Sequence, residues 1–223
     1  MNFSMSLYEK SIGKLFENAN KRKYPKNQLI FYQGDPLSSI CLIKSGYIKA
    51  YTILDSGDIR TLFLLGPGDI FPIAFSVNLS WDNYSLRYFY QALSEVELLM
   101  ADKDHFKKAV ESQPDLTMIY LTYMAATNEA IINQLEMLKT KGAINKVAHL
   151  LPYLVKKIGS PAGNQKYKLQ LKVSHQEIAD LTGLTRETAT QQIKKLEKDD
   201  IIDQKKGTWV IKLSEEQEES LRG

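Results

Sequence analysis

Cysteine is nearly absent: Cys41 stands alone among 223 residues. A single thiol excludes an internal disulfide and a cysteine-ligated iron–sulfur cluster within one chain. Its setting, ICLIK in an apolar strand, predicts a buried structural thiol. Long apolar runs are missing too, and none approaches the roughly 18 residues of a membrane span. The first residues, MNFSMSLYEKSIGKLF, are amphipathic and lack the apolar core of a signal peptide, which argues against export and for the cytoplasm. Histidine is scarce. His105, His149 and His175 show no metal-ligand spacing, and none lies in the strand-rich part of the chain. His149 falls on an apolar helix face and is expected to be packed.

What remains is the composition of an ordinary globular protein, 43% hydrophobic and 25% charged. The length allows one large domain or two smaller ones, each able to bury a core. The net charge of +3 hides an asymmetry. Residues 1–138 carry 13 Lys/Arg against 15 Asp/Glu, whereas residues 139–213 carry 15 against 7. The tail, SEEQEESLRG, holds four glutamates against Arg222. A concentrated basic segment of this kind supplies the counterion-releasing part of DNA affinity, although lysine-rich faces are often only solvated surface.

Along the chain, Leu7, Ile12, Leu15 and Phe16 predict a short helix over 6–20, closed by the basic run KRK before Pro25. Residues 28–101 then read as short apolar strands with turns at Gly34, Gly46, Gly57 and Gly66-Pro67-Gly68. Turns at intervals of about ten residues favour an antiparallel sandwich or barrel, here a jelly roll. HFKKAV begins a short helix that stops before Pro114. Residues 115–141 read as one helix of about 40 Å. Leu116, Tyr120, Tyr123, Thr127, Ala130, Gln134 and Met137 predict a heptad-like seam along it, and a second copy of the chain as its partner. Gly142 ends the helix and makes a hinge. INKVAHLLPYLVKKIG is a further helix, followed by a loop, SPAGNQ, and a strand, YKLQLKV.

The richest stretch is SHQEIADLTGLTRETATQQIKKLEK. Ser174 followed three residues later by Glu177 is a capping-box start. Ile178, Ala179 and Leu181 give the first helix an inward face, and Gly183 permits the left-handed residue that ends it. Thr185 caps a second helix whose buried stripe is Ala189, Ile193 and Leu196. Its other face carries Arg186, Glu187, Thr190, Gln191 and Lys194. Two capped helices with a polar face occur in any small helical hairpin, so the residues after Lys198 decide between the two readings. DDIIDQKKGTWVIKL reads as strand, turn, strand, with Lys205-Lys206-Gly207 at the tip. A β-hairpin after the second helix makes a winged helix-turn-helix, with Ser174, His175, Lys205 and Lys206 placed to touch DNA backbone. The fold class is α+β: a β-roll sensor domain at 1–112, a dimerisation helix at 113–141 and a winged helix-turn-helix at 142–223.

This order, together with EIADLTGLTRETATQQIKKLEKDDII, FYQGDPLSSICLIKSGYIKAY and ALSEVELLMADKDHF, resembles the Crp/Fnr family of bacterial transcription regulators. The resemblance implies double-stranded DNA as partner, a homodimer, RNA polymerase as a further partner if the protein activates, and a near-palindromic site with TGTGA-like halves read by Arg186 and Glu187. Arginine can donate twice to guanine and glutamate can accept from cytosine, which fits those roles independently. Many relatives carry a second arginine where this chain has Gln191, which predicts a shifted preference at one base. Family members that bind cyclic AMP carry an Arg-Ser or Arg-Thr pair after a short helix. GDIFPIAFSVNLSWDNYSLRYFYQAL has no such pair, which argues against cyclic AMP. The oxygen-sensing branch uses several cysteines, and haem wants an axial histidine in the roll. No cofactor is expected.

An apolar effector site could draw on Trp81, Tyr84, Arg87, Tyr90, Tyr123, Thr127 and Asn128. The competing expectation is that these rings fill the roll's core, with Arg87 in a strand-like LRYFY run. Two other functional classes fit the residues less well. A jelly-roll metal oxygenase needs histidines on its strands. A cyclic-nucleotide-binding-like module acting on a protein partner leaves the basic second helix unexplained.

Overall fold

Glycine turns set where the strands of the N-terminal half end. The computed structural model describes residues 12–72, 85–205 and 207–221. After a helical turn at 12–15 come β1 (Asn20–Tyr24), β2 (Leu29–Phe31), β3 (Ser39–Ser45), β4 (Ile48–Ile53), β5 (Ile59–Leu65), β6 (Ile70–Phe71), β7 (Phe89–Ala92) and β8 (Val96–Asp102). They form two four-stranded sheets, in the orders β1-β8-β3-β6 and β2-β7-β4-β5. Gly34, Gly46, Gly57 and Gly68 all take positive φ at the expected turns. Gly46 is constrained twice, because a Cβ there would also run into the Glu95 carbonyl oxygen.

Strand β3 shows how the roll is filled. Side chains alternate across a strand, and here both faces are covered. Cys41 and Ile43 join Ile48, Phe71, Tyr90, Val96 and Leu98 in a cluster drawn from both sheets. Ile40 and Leu42 join Leu15, Phe16, Phe106, Leu116, Tyr120 and Tyr123, which come largely from helices. Phe71 and Tyr90 pack with centroids 5.2 Å apart, and Phe31 meets both edge-on.

Two elements differ from expectation. The basic run Lys21-Arg22-Lys23 does not close a helix; it lies within β1, paired antiparallel with β8 from Asn20–Met100 to Tyr24–Val96. Its side chains are exposed, so no apolar alternation marks it. Likewise β9 (Gly159–Gly163) takes up most of the expected SPAGNQ loop and pairs with β10 (Lys166–Leu169). At a sheet edge Pro161 is tolerated. Arg87 lies outside β7 and is exposed.

After the helical turn at 12–15, the helices among the described residues are α1 (Lys103–Ser112), α2 (Pro114–Lys139), α3 (Ala143–Ile158), α4 (His175–Thr182), α5 (Arg186–Lys198) and α6 (Glu215–Ser220). Among the described residues, no helix is long and apolar enough to cross a membrane. Proline at the first position of α2 gives up an amide hydrogen that has no helical partner anyway. The expected seam on α2 is corrected. Leu116, Tyr120 and Tyr123 face the chain's own core, and the Tyr123 hydroxyl accepts from the Ile70 amide at 2.8 Å and donates to its carbonyl at 3.0 Å. The side chains of Ala130, Gln134 and Met137 lie outside the described residues. A different face is left open: Met118, Leu121, Ile132 and Leu135 are 62%, 48%, 56% and 52% exposed. With exposed Ala125 and Asn128 they recur at intervals of three and four. His149, expected to be packed, is exposed on α3, and its Nδ1 donates to the Asn145 carbonyl at 2.8 Å.

The chain divides into two compact units, Met1–Thr52 with Phe63–Ile132 and Ile53–Leu62 with Asn133–Gly223. The segment expected as a separate helix at 113–141 is thus shared between them. In the second unit, β11 (Ile202–Lys205) and β12 (Thr208–Lys212) complete a sheet ordered β11-β12-β10-β9.

Replacing Gly46 by alanine adds both a strained φ and the clash at Glu95. Urea unfolding should show a loss of more than about 1 kcal/mol. A change below half of that would mean that the turn relaxes freely.

Candidate nucleic-acid interface

Three local devices aim α5. First, Ser174 caps α4: its hydroxyl accepts from the Glu177 amide at 3.2 Å, and the Glu177 carboxylate accepts from the Ser174 amide at 2.6 Å. Second, Gly183 ends α4 in the left-handed region (φ 69°, ψ 24°), and its amide donates to the Ala179 carbonyl. Third, Thr185 caps α5 by accepting from the Thr188 amide at 3.2 Å. Ile178, Ala179, Leu181, Ala189, Ile193 and Leu196 are all buried, as the periodicity predicts. The two helices are thereby fixed to each other by packing and at their ends by hydrogen bonds.

On the outer face, Arg186, Glu187, Gln191 and Lys194 are exposed, with the first two in the opening turn of α5. Lys195 and Lys198 extend the exposed basic surface toward its end. Thr190 is only half exposed; its hydroxyl donates to the Arg186 carbonyl at 2.8 Å. His175 does not stand free toward a ligand. Its Nδ1 lies 3.0 Å from the Thr190 hydroxyl, its Nε2 lies 3.3 Å from the Gln204 side-chain amide, and its ring meets Trp209 edge-on at 6.2 Å.

The wing is built as expected. Ile202, Trp209 and Ile211 are buried beneath it, and Lys205 pairs with Thr208 across the turn. Lys206, and the side chain of Lys205, lie outside the described residues. A residue the pattern did not single out is Lys172. Its Nζ lies 3.3 Å from the point where a Cβ on Gly207 would stand, so this exposed ammonium sits against the turn of the wing. Only the fold reveals this, because 35 positions separate the two residues in sequence. The acidic tail forms α6, tied to the wing's sheet by the Tyr167 hydroxyl donating to Glu218 at 2.6 Å.

In the roll, five of the seven residues expected around an effector fall among the described ones. Trp81 and Tyr84 lie outside the described residues, and Arg87 and Asn128 are exposed. Tyr90 belongs to one core cluster and Tyr123 to the other. Thr127 is half-buried and donates to the Tyr123 carbonyl at 2.9 Å. Tyr120 is buried with its hydroxyl unpaired among the described residues, and burial pushes its ionisation well above the ordinary tyrosine range. Cys41 is fully buried in β3, and desolvation pushes its thiol far above the usual range, so it stays protonated and inert. Among the described residues no three His, Cys, Asp or Glu side chains are grouped to hold a metal ion.

A β-roll and a winged helix-turn-helix with an exposed, capped second helix define a DNA-binding regulator of transcription. Comparison with known proteins agrees. Residues 21–113 match the cyclic nucleotide-binding domain family and residues 145–217 match the Crp-like helix-turn-helix domain family. The chain is 27% identical to a global nitrogen regulator of Nostoc sp., over 75% of this chain and 74% of that protein. It is 26% identical to a cyclic AMP receptor protein of Thermus thermophilus, over 86% and 83%. The solved structure of FixK2 from Bradyrhizobium japonicum shares the fold, with a TM-score of 0.75 at 19% identity, covering 91% of this chain and 96% of that one. The chain belongs to the Crp/Fnr family of transcription regulators.

Removing the Ser174 cap with alanine should cost about 1 kcal/mol in urea unfolding, whereas Ser174→Asp should cost little. Equal losses from both changes would show that the hydroxyl's size, not its accepting oxygen, is what matters.

Proposed function

We propose that this protein is a homodimeric, sequence-specific regulator that binds a near-palindromic site with TGTGA-like halves. The observation that carries it is the exposure of Arg186 and Glu187 in the first turn of a helix whose direction is fixed by two caps. That is where a helix-turn-helix meets base edges. In this reading Arg186 donates to guanine O6 and N7 and Glu187 accepts from cytosine N4. Gln191, which pairs better with adenine than with guanine, shifts the preference at one base of each half. Lys205, Lys206 and Lys172 meet phosphates at the wing and supply affinity without sequence.

The second copy is assigned to the open face of α2. Met118, Leu121, Ala125, Asn128, Ile132 and Leu135 follow the three-four alternation of a coiled-coil seam, and a single polar residue in such a seam fixes register. Two recognition helices related by that pairing would enter successive major grooves about 34 Å apart. The described members of the aromatic set in the roll are engaged in the chain's own packing, so no effector is assigned to them.

Selection from random duplexes should return a palindrome, and Arg186→Ala should relax one base of each half by about 1–3 kcal/mol. Lys172→Ala should weaken all sequences alike and reduce the salt slope by about one. Gln191→Arg should restore guanine at its position. Equal binding of selected and random duplexes at physiological salt would refute base reading. Separately, Leu121→Asp with Ile132→Asp should convert the dimer to monomer in sedimentation; an unchanged dimer would place the interface elsewhere.

A further inference from the structure

We propose that His175 is a positioning residue that holds the recognition helix and the wing in one fixed relation, by a chain of side-chain hydrogen bonds running from Gln204 to the Arg186 carbonyl. This rests on the proposed function, in which α5 reads bases and the hairpin meets phosphates. The imidazole sits where three elements converge. It opens α4, faces Thr190 on α5 and Gln204 on β11, and lies edge-on to the buried Trp209 of β12.

Donor counting places the protons. Thr190 has one hydroxyl hydrogen, and the Arg186 carbonyl 2.8 Å away can only accept it. The contact at 3.0 Å between Thr190 Oγ1 and His175 Nδ1 must then be donated by the ring. A neutral ring with its hydrogen on Nδ1 leaves Nε2 bare, and Nε2 accepts from the Gln204 amide at 3.3 Å. The links therefore run in one direction: Gln204 to His175, His175 to Thr190, Thr190 to the carbonyl of the residue assigned to guanine. Each member is half-buried or part of a secondary-structure element, so turning α5 about its axis or lifting the wing stretches a link. Thr190 is a relay in this chain, and its hydroxyl hydrogen is not free for a base.

Nitrogen-15 NMR of histidine-labelled protein reads the tautomer directly. The expected state of His175 carries its hydrogen on Nδ1, the resonance being assigned by its loss in His175→Leu. In DNA binding, His175→Leu and Gln204→Ala should each lower the ratio of affinity for the selected duplex over a random one by about three- to tenfold, the range that one ordinary hydrogen bond supplies. The double variant should lose little more than His175→Leu alone, because the chain is already cut. His175→Asn, whose amide can still donate to Thr190, should recover most of the ratio. A wild-type ring protonated on Nε2 alone, unchanged ratios in both single variants, or fully additive losses would overturn the proposal. If His175→Leu fails to fold, the resonance is assigned instead by its loss in His175→Asn, and Gln204→Ala and the tautomer carry the test. A wild type without any sequence preference refutes base reading, while the tautomer still decides whether the linkage exists.

Discussion

The direction of the recognition helix depends on a short turn that only a left-handed residue can make. Gly183 supplies that backbone, and its amide closes on the Ala179 carbonyl as α4 ends. Leu184 then carries the chain to Thr185, whose hydroxyl starts α5. Burial of Ile178, Leu181, Ala189 and Ile193 alone would hold two helices together. It would not decide which residues of α5 stand clear of the packing. The cap decides that, because it makes Arg186 and Glu187 the opening turn. The proposed base reading depends on this placement, since both side chains stand exposed in the opening turn of a helix whose start Thr185 fixes.

The long helix meets a different constraint, since it is apolar on two sides. Leu116, Tyr120 and Tyr123 close the roll from outside the sheets, with the Tyr123 hydroxyl satisfying both backbone groups of Ile70. Burying that pair of backbone groups unpaired would be costly, so this face is fully occupied within the chain. Met118, Leu121, Ile132 and Leu135 are left in water. A seam of this length on one monomer is a large exposed apolar surface. The division between the two faces lets one helix close a core and still offer its open side to the second copy proposed above.

Much of the fold and of the interface is legible from sequence, and the reasons are local. Ser174, Gly183 and Thr185 are residues whose chemistry allows few positions, so the helix-turn-helix can be drawn to its caps. The glycine turns of the roll are equally plain. The strand at Lys21-Arg22-Lys23 is not, because an edge strand with solvent on its outer side needs no apolar alternation. The seam of α2 escapes sequence reading for a related reason. Intervals of three and four occur on two faces of a helix with so many apolar positions, and periodicity alone cannot say which one the roll covers. His149 is a similar case: a histidine one position from Leu150 can point to solvent while its neighbour is fully buried.

By itself the sequence determined the turns, the caps and the identity of the side chains that face outward from α5, since each follows from backbone propensity within a few residues. Tertiary structure alone decided which face of α2 remains open, that Lys172 lies beside the wing, and that His175 bridges α5 and β11. Those relations join positions far apart in the chain, and they arise only when packing of a whole core brings the elements that carry them together.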